Sequence, residues 1–175
     1  MSPLHYLPKN TRVRFELLGA LPIFRERYVS PQAGTVVLQG FFNQTAHLEL
    51  QDGTRYRTLS PKRDKKYLDQ LAYRVIRWAD RTEVCRLLTS TRLGKGTTPR
   101  LRYTTTLDNQ RYVFRPVSIA QQRFELWNGL ETQKLVQRES SRTLVADVTV
   151  LCPVPTLLVL LFPWLDHQLI TSRQL

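Results

Sequence analysis

Val148–Leu165 reads VTVLCPVPTLLVLLFPWL. It carries no charge, while arginine is dense through the rest of the chain. A run of this length must leave water. It can do so as a membrane span, as a strand followed by a buried helix, or as a segment that docks on a partner, and the fold turns on which of these holds. Pro153 and Pro155 exclude a continuous central strand through this region. Pro155 is suited to open a helix as its first residue, and the following residues are apolar on every side until Asp166. A helix apolar all round lies in a membrane or is surrounded by protein. Pro163 kinks such a helix or loosens its last turn.

A bilayer span needs about 20 consecutive apolar residues. Thr156–Leu165 supplies ten, and three prolines interrupt the wider run. Asp166, His167 and Arg173 behind it form no strong positive anchor. A buried core helix over 155–170 is therefore the expectation, with Leu157, Leu158, Leu160, Leu161, Phe162 and Trp164 enclosed by the same chain. A C-terminal membrane anchor is the alternative.

What could enclose the helix lies upstream. In Thr11–Leu18, Val13, Phe15 and Leu17 alternate with Arg12, Arg14 and Glu16, the period of a half-buried strand. Further strands are predicted at Thr35–Phe42, Ala46–Gln51, Tyr73–Ala79, Glu83–Leu88, Leu101–Leu107, Arg111–Arg115, Arg123–Trp127, Thr132–Gln137 and Arg142–Leu151. Between them stand Asp52-Gly53, Asp80-Arg81, Asp108-Asn109 and Asn128-Gly129. These are hairpin signals, and Gly53 and Gly129 are expected at positive φ. Asp52, Asp80 and Asp108 recur every 28 residues, as a hairpin array would give without the longer signature of a propeller. Pro61–Lys66 reads as a basic loop, Lys66–Ala72 as about two helical turns and Thr89–Arg100 as a polar surface loop.

The units RYTTTLDNQRYVFR and RFELWNGLETQKLV, followed by VADVTVLCPVPTLLVLLFPWL, resemble the tubby C-terminal domain and its relatives, the LURP-one-related proteins and phospholipid scramblases. The resemblance implies one all-β domain over 1–175, a closed antiparallel hairpin barrel around a hydrophobic C-terminal helix. A β-sandwich is the alternative fold. The basic phosphoinositide-binding residues of tubby-like domains have no residue-by-residue match here.

Chemistry is sparse. His5, His47 and His167 are far apart and lack metal-ligand spacing. Gly94–Thr98 (GKGTT) departs from a phosphate loop, because Gly96 follows Lys95 where Ser or Thr is required. In RYVFRP, Tyr112 and Phe114 fall on one face and Arg111, Val113 and Arg115 on the other, without the glycines of an RNA-stacking strand. No catalytic, metal or cofactor-binding set emerges. Cys85 and Cys152 sit in apolar stretches as small hydrophobes. The absence of a disulfide framework and of a signal peptide at MSPLHYLPKN points to a cytoplasmic location.

The charge is the remaining signal. Lys and Arg number 26 against 14 Asp and Glu, a net +12 that attracts polyanions. The densest clusters are Lys62, Arg63, Lys65 and Lys66, and the run containing Arg92 and Lys95. The expected function is a non-enzymatic module for anionic lipid head groups, peripheral at a membrane surface. Nucleic-acid binding is the alternative.

Overall fold

The computed structural model describes residues 5–21, 25–39, 45–63, 71–92, 100–117, 123–139 and 147–171. Its strands in chain order are β1 (Tyr6–Leu7), β2 (Arg12–Arg14), β3 (Glu16–Leu21), β4 (Arg25–Ser30), β5 (Gly34–Gln39), β6 (Thr45–Leu50), β7 (Arg55–Arg63), β8 (Leu71–Arg77), β9 (Glu83–Arg92), β10 (Arg100–Leu107), β11 (Gln110–Pro116), β12 (Phe124–Asn128), β13 (Lys134–Arg138), β14 (Asp147–Val150) and β15 (Val154–Pro155). Two helices, α1 (Thr156–Leu160) and α2 (Phe162–Thr171), follow.

Thirteen strands form one antiparallel sheet in which β3 to β14 follow chain order and β2 joins beyond β14. Its two edge strands, β2 and β3, are separated only by Phe15. One stretch of chain thus pairs with β14 through β2 and with β4 through β3, so the sheet curls into a nearly closed barrel. Inside it runs the C-terminal helix, with every residue from Thr156 to Leu165 buried. Tyr73 meets Trp164 edge-on at 5.1 Å between ring centroids, and Phe114 meets Phe162 at 5.5 Å. Such contacts add to the stabilisation from area alone.

The helix begins at Thr156, with Pro155 as its N-cap, and breaks at Leu161. Pro163 has no N–H to continue the ladder, and the Leu161 N–H bonds to the Leu158 carbonyl instead. The short β1–β15 pair and the Thr156 N–H to the His5 carbonyl fasten the N-terminal segment to the helix start.

The turns follow two devices. Asp108 and Asn109 both have positive φ (52° and 60°), the mark of a two-residue hairpin of primed type. Asp52 and Asp80 each accept a bond from the backbone N–H two residues on, that of Thr54 and of Thr82. Strand-pair length therefore underlies the 28-residue recurrence. Gly53 is at φ +83° as expected, but Gly129 is not, and Glu131 (φ 57°) takes the left-handed position of that loop. What Gly129 supplies is clearance, since a Cβ there would stand 2.6 Å from that of Arg111.

Pairing also overrides several sequence readings. Pro61–Arg63 belongs to β7, with a register shift between Leu59 and Lys62 that accommodates the proline. Leu71 and Ala72 open β8 rather than closing a helix, and residues 66–70 lie outside the described set. Thr89–Arg92 extends β9 and Arg100 starts β10, because the two segments pair with each other and so favour extended chain over a polar loop. Leu17 is 42% exposed rather than inward, beside the register shift in β3. The predicted strand over 142–151 is described from Asp147 onward.

Gly34 has φ +129°, and a Cβ on it would lie 2.0 Å from the Glu49 carbonyl oxygen, whereas one on Gly53 would meet nothing within 4 Å. Gly53→Ala should cost only about 1 kcal/mol of backbone strain. Gly34→Ala should cost distinctly more, because paired backbone must separate. Urea unfolding of the two variants tests this order, and equal midpoints would contradict it.

A candidate anion-binding rim

Strands of an up-and-down barrel alternate in direction, so their ends sort to two rims. One rim carries the tight turns after β4, β6, β8, β10 and β12. The other carries the ends of β3, β5, β7, β9, β11 and β13, and the starts of the strands that follow them. The helix enters at the turn rim and ends at the second. There, Asp166 reaches Arg138 at the end of β13, and His167 reaches Glu26 at the start of β4.

The predicted basic residues fall on this second rim wherever they are described. Lys62 pairs with Ala72 and Arg63 with Leu71 at the end of β7, and Arg92 pairs with Arg100 at the end of β9. Lys65, Lys66 and Lys95 lie outside the described residues. Lys62, Ala72 and Leu88 share one cross-strand row. Arg92 is four residues beyond Leu88 and two strands from Lys62, roughly 16 Å away at standard strand spacings. These residues thus form a spread field along a rim, not a single grip. Arg92 and Arg100 are register partners across β9 and β10.

Elsewhere several outward arginines are paired. Arg74 and Arg86 share Glu83, Arg102 and Arg115 share Glu131, Arg55 meets Glu49, and Arg77 meets Asp80. Arg115 and Lys134 flank the Trp127 ring at 4.6 and 5.4 Å. Tyr112 and Phe114 are buried and Arg111 and Arg115 lie outward as alternation predicts, with Val113 also buried.

The sequence reading missed a polar cluster in the rim's mouth. Arg138 occupies the same face of β13 as the buried Val136 and bonds Asp166 at 2.6 Å. Only 5% of the Arg138 side chain is exposed, against 17% for Asp166. Beside them, Tyr28 donates to Glu26 at 2.6 Å, and its oxygen lies 2.9 Å from His167 Nε2. That nitrogen is also 2.9 Å from Glu26, so a proton on Nε2 serves both oxygens. Burial pushes Tyr28 far above its usual range, reinforced by Glu26 and Asp166. The available sequence signal was alternation itself: in KLVQR, Val136 and Arg138 share parity, and Asp166 follows an all-apolar helix.

An open groove of about 540 Å³ lies on the outer face of β9 and β10, lined by Arg86, Leu88, Thr104, Thr106 and Arg111 among others. Cys85 contributes to its floor, but burial pushes the thiol up to about 12, so it is not a thiolate at neutral pH. No group of three or more His, Cys, Asp or Glu suited to a metal occurs among the described residues. No helix among them is long and apolar enough to cross a membrane.

Asp166 and His167 titrate with opposite consequences. Burial raises Asp166 to about 6 despite Arg138, so its contribution to stability is present at low pH and lost as pH rises through about 6. Burial lowers His167 despite Glu26, so its contribution is present above 6.5 and lost as pH falls. The melting temperature of the wild type, relative to Asp166→Asn, should therefore rise as pH falls from 7.5 to 5. A constant difference across that range would contradict the burial of a charged Asp166. No family model, curated protein or solved structure matches the chain.

Proposed function

We propose that this chain is a non-enzymatic, tubby-like barrel that binds anionic lipid head groups and acts as a cytoplasmic protein peripheral at a membrane surface. The reading is supported by strand position: Lys62, Arg63, Arg92 and Arg100 all stand at strand ends of one rim. A flat charged surface suits a rim with spread cations better than a pocket with one grip. Near an anionic leaflet each such residue contributes on the order of 1 kcal/mol, screened within roughly 8–10 Å. The tubby-like assignment is supported by the nearly closed hairpin barrel around an apolar helix.

Nucleic-acid binding is a second reading with one observation in its favour. Trp78 is 49% exposed on the outer face, its ring 5.3 Å from that of His47, in a pocket that Arg55 also lines. An exposed aromatic beside a cation is a stacking platform for bases.

Reversing the charge of Lys62, Arg63, Lys65 and Lys66 to glutamate should abolish co-sedimentation with phosphatidylcholine–phosphatidylserine vesicles at low salt. Unchanged sedimentation would retire the lipid reading for this rim. Equal losses toward vesicles and toward arbitrary DNA would reduce it to non-specific attraction of polyanions.

A further inference from the structure

We propose that the seam between β9 and β10, at the turn-rim end of the barrel wall, is a docking site for a short extended polypeptide segment rich in acidic side chains. The site lies toward the opposite end from the basic rim and does not depend on the lipid reading.

Pairing between β9 and β10 starts at Arg92–Arg100 and ends at Leu88–Thr104. Both strands continue past that row, β9 back to Glu83 and β10 on to Leu107. Each keeps its other neighbour there, β8 for β9 and β11 for β10. The two strands thus diverge over Glu83–Leu87 and Thr105–Leu107, and the outer groove of about 540 Å³ fills the opening. Cys85 and Thr105 line it although both are buried in the barrel, so main chain forms part of its wall. A bulge accounts for the divergence. Val75 pairs with Cys85 and Ile76 with Glu83, which leaves Val84 as an extra residue in β9. Such a residue bends its strand, raises the local twist and interrupts regular pairing.

The seam offers main-chain groups of known direction. Leu107 and Gln110 close the two-residue hairpin of β10 and β11. A closing pair of this kind exchanges both of its hydrogen bonds, and alternation then turns the N–H and C=O of Thr106 away from β11. Continued register would set them opposite Arg86, but the ladder stops before that row. A strand edge with unpaired N–H and C=O groups is a template for another chain. A phosphate or lipid head group answers only the donors, whereas an extended backbone answers donors and acceptors with the same two-residue period. The unpaired stretch is about 10–17 Å long at strand rise, room for about three to five residues.

Charge selects among peptides. Arg86 and Arg111 border the groove, and Glu83 is the acidic residue in its lining. Glu83 is already shared by Arg74 and Arg86. Arg111 is exposed and joins no ion pair among the described residues. Carboxylates at the outward positions of a docked strand complement these guanidiniums. The net +12 steers an acidic segment toward the barrel.

The probe is a heptapeptide of alternating Glu and Val with both ends blocked, titrated into the full chain at physiological salt and followed through backbone amide resonances. In the free protein, the Thr106 amide should exchange with solvent faster than those of Thr105 and Leu107, which face β11. On binding, the resonances of Arg86 and Thr106 should move most, and exchange at Thr106 should slow about tenfold or more. Arg111→Glu, an exposed change, should weaken binding about tenfold. Methylating the peptide's backbone nitrogens at every Glu, or at every Val, keeps its charge and removes its donors toward one neighbour. At least one of these two peptides should lose binding. The protein with Lys62, Arg63, Lys65 and Lys66 reversed to glutamate should still bind the parent peptide through the seam. Absence of binding, binding that survives both methylated forms, or resonance changes away from β9 and β10 overturns the proposal. Equal losses from Arg111→Glu and from the reversed rim would show attraction by net charge alone and overturn it too.

Discussion

Enclosure of one uncharged helix by a sheet that closes on itself is the interaction on which the rest of this structure depends. Leu157 to Phe162, Trp164 and Leu165 are at most 1% exposed, and the rings of Tyr73 and Phe114 meet the helix from different strands. Neither part is stable alone. A ten-residue apolar segment has no reason to remain in water, and a sheet of thirteen strands with an empty interior would lose its inward packing. Closure at β2 and β3 is what lets the same sheet bury the helix on all sides. It also fixes the helix direction, and with it which end of the barrel receives Asp166 and His167.

That direction gives the barrel unlike ends. The turn rim is built for economy of chain, with the Asp52 and Asp80 carboxylates bonding the N–H groups two residues on and Asp108-Asn109 turning in two residues. The opposite rim gathers the ends of β7 and β9 and the polar end of the helix. Two charge environments coexist there. Lys62, Arg63, Arg92 and Arg100 stand at strand ends of this rim, and charges so spaced interact only through a field that salt and distance weaken. Arg138 and Asp166 act through contact, in surroundings where each charge is expensive without its partner.

The architecture was readable because two periods were present, one of strands and one of an apolar helix. Alternation placed Val13 and Phe15, and Tyr112 and Phe114, inward, though Leu17 is exposed and Val113 buried against that alternation, and the proline-punctuated apolar run marked a helix too short to span a bilayer. The readable part ended where distant partners decide local structure. Polar Thr89–Arg92 is strand because it pairs with Arg100–Tyr103 of β10. Gly34 resembled any glycine before a strand, yet the Glu49 carbonyl leaves no room for a side chain there. Arg138 and Asp166 are 28 residues apart, and composition offers no sign that they meet. The basic residues were visible in the sequence, but that Lys62, Arg63, Arg92 and Arg100 stand at strand ends of one rim came from strand direction.

Native-state hydrogen exchange across the helix tests the enclosed-helix account most directly. A helix held on all sides by the barrel can expose its amides only when the barrel opens. The amides of Leu160, Leu161, Phe162, Trp164 and Leu165 should therefore exchange with the same free energy as those of the central strands β10 to β12, equal to the global unfolding free energy. Exchange of the helix at markedly lower free energy, while those strands stay protected, would show that it leaves without opening the barrel. That result would contradict its role as the core.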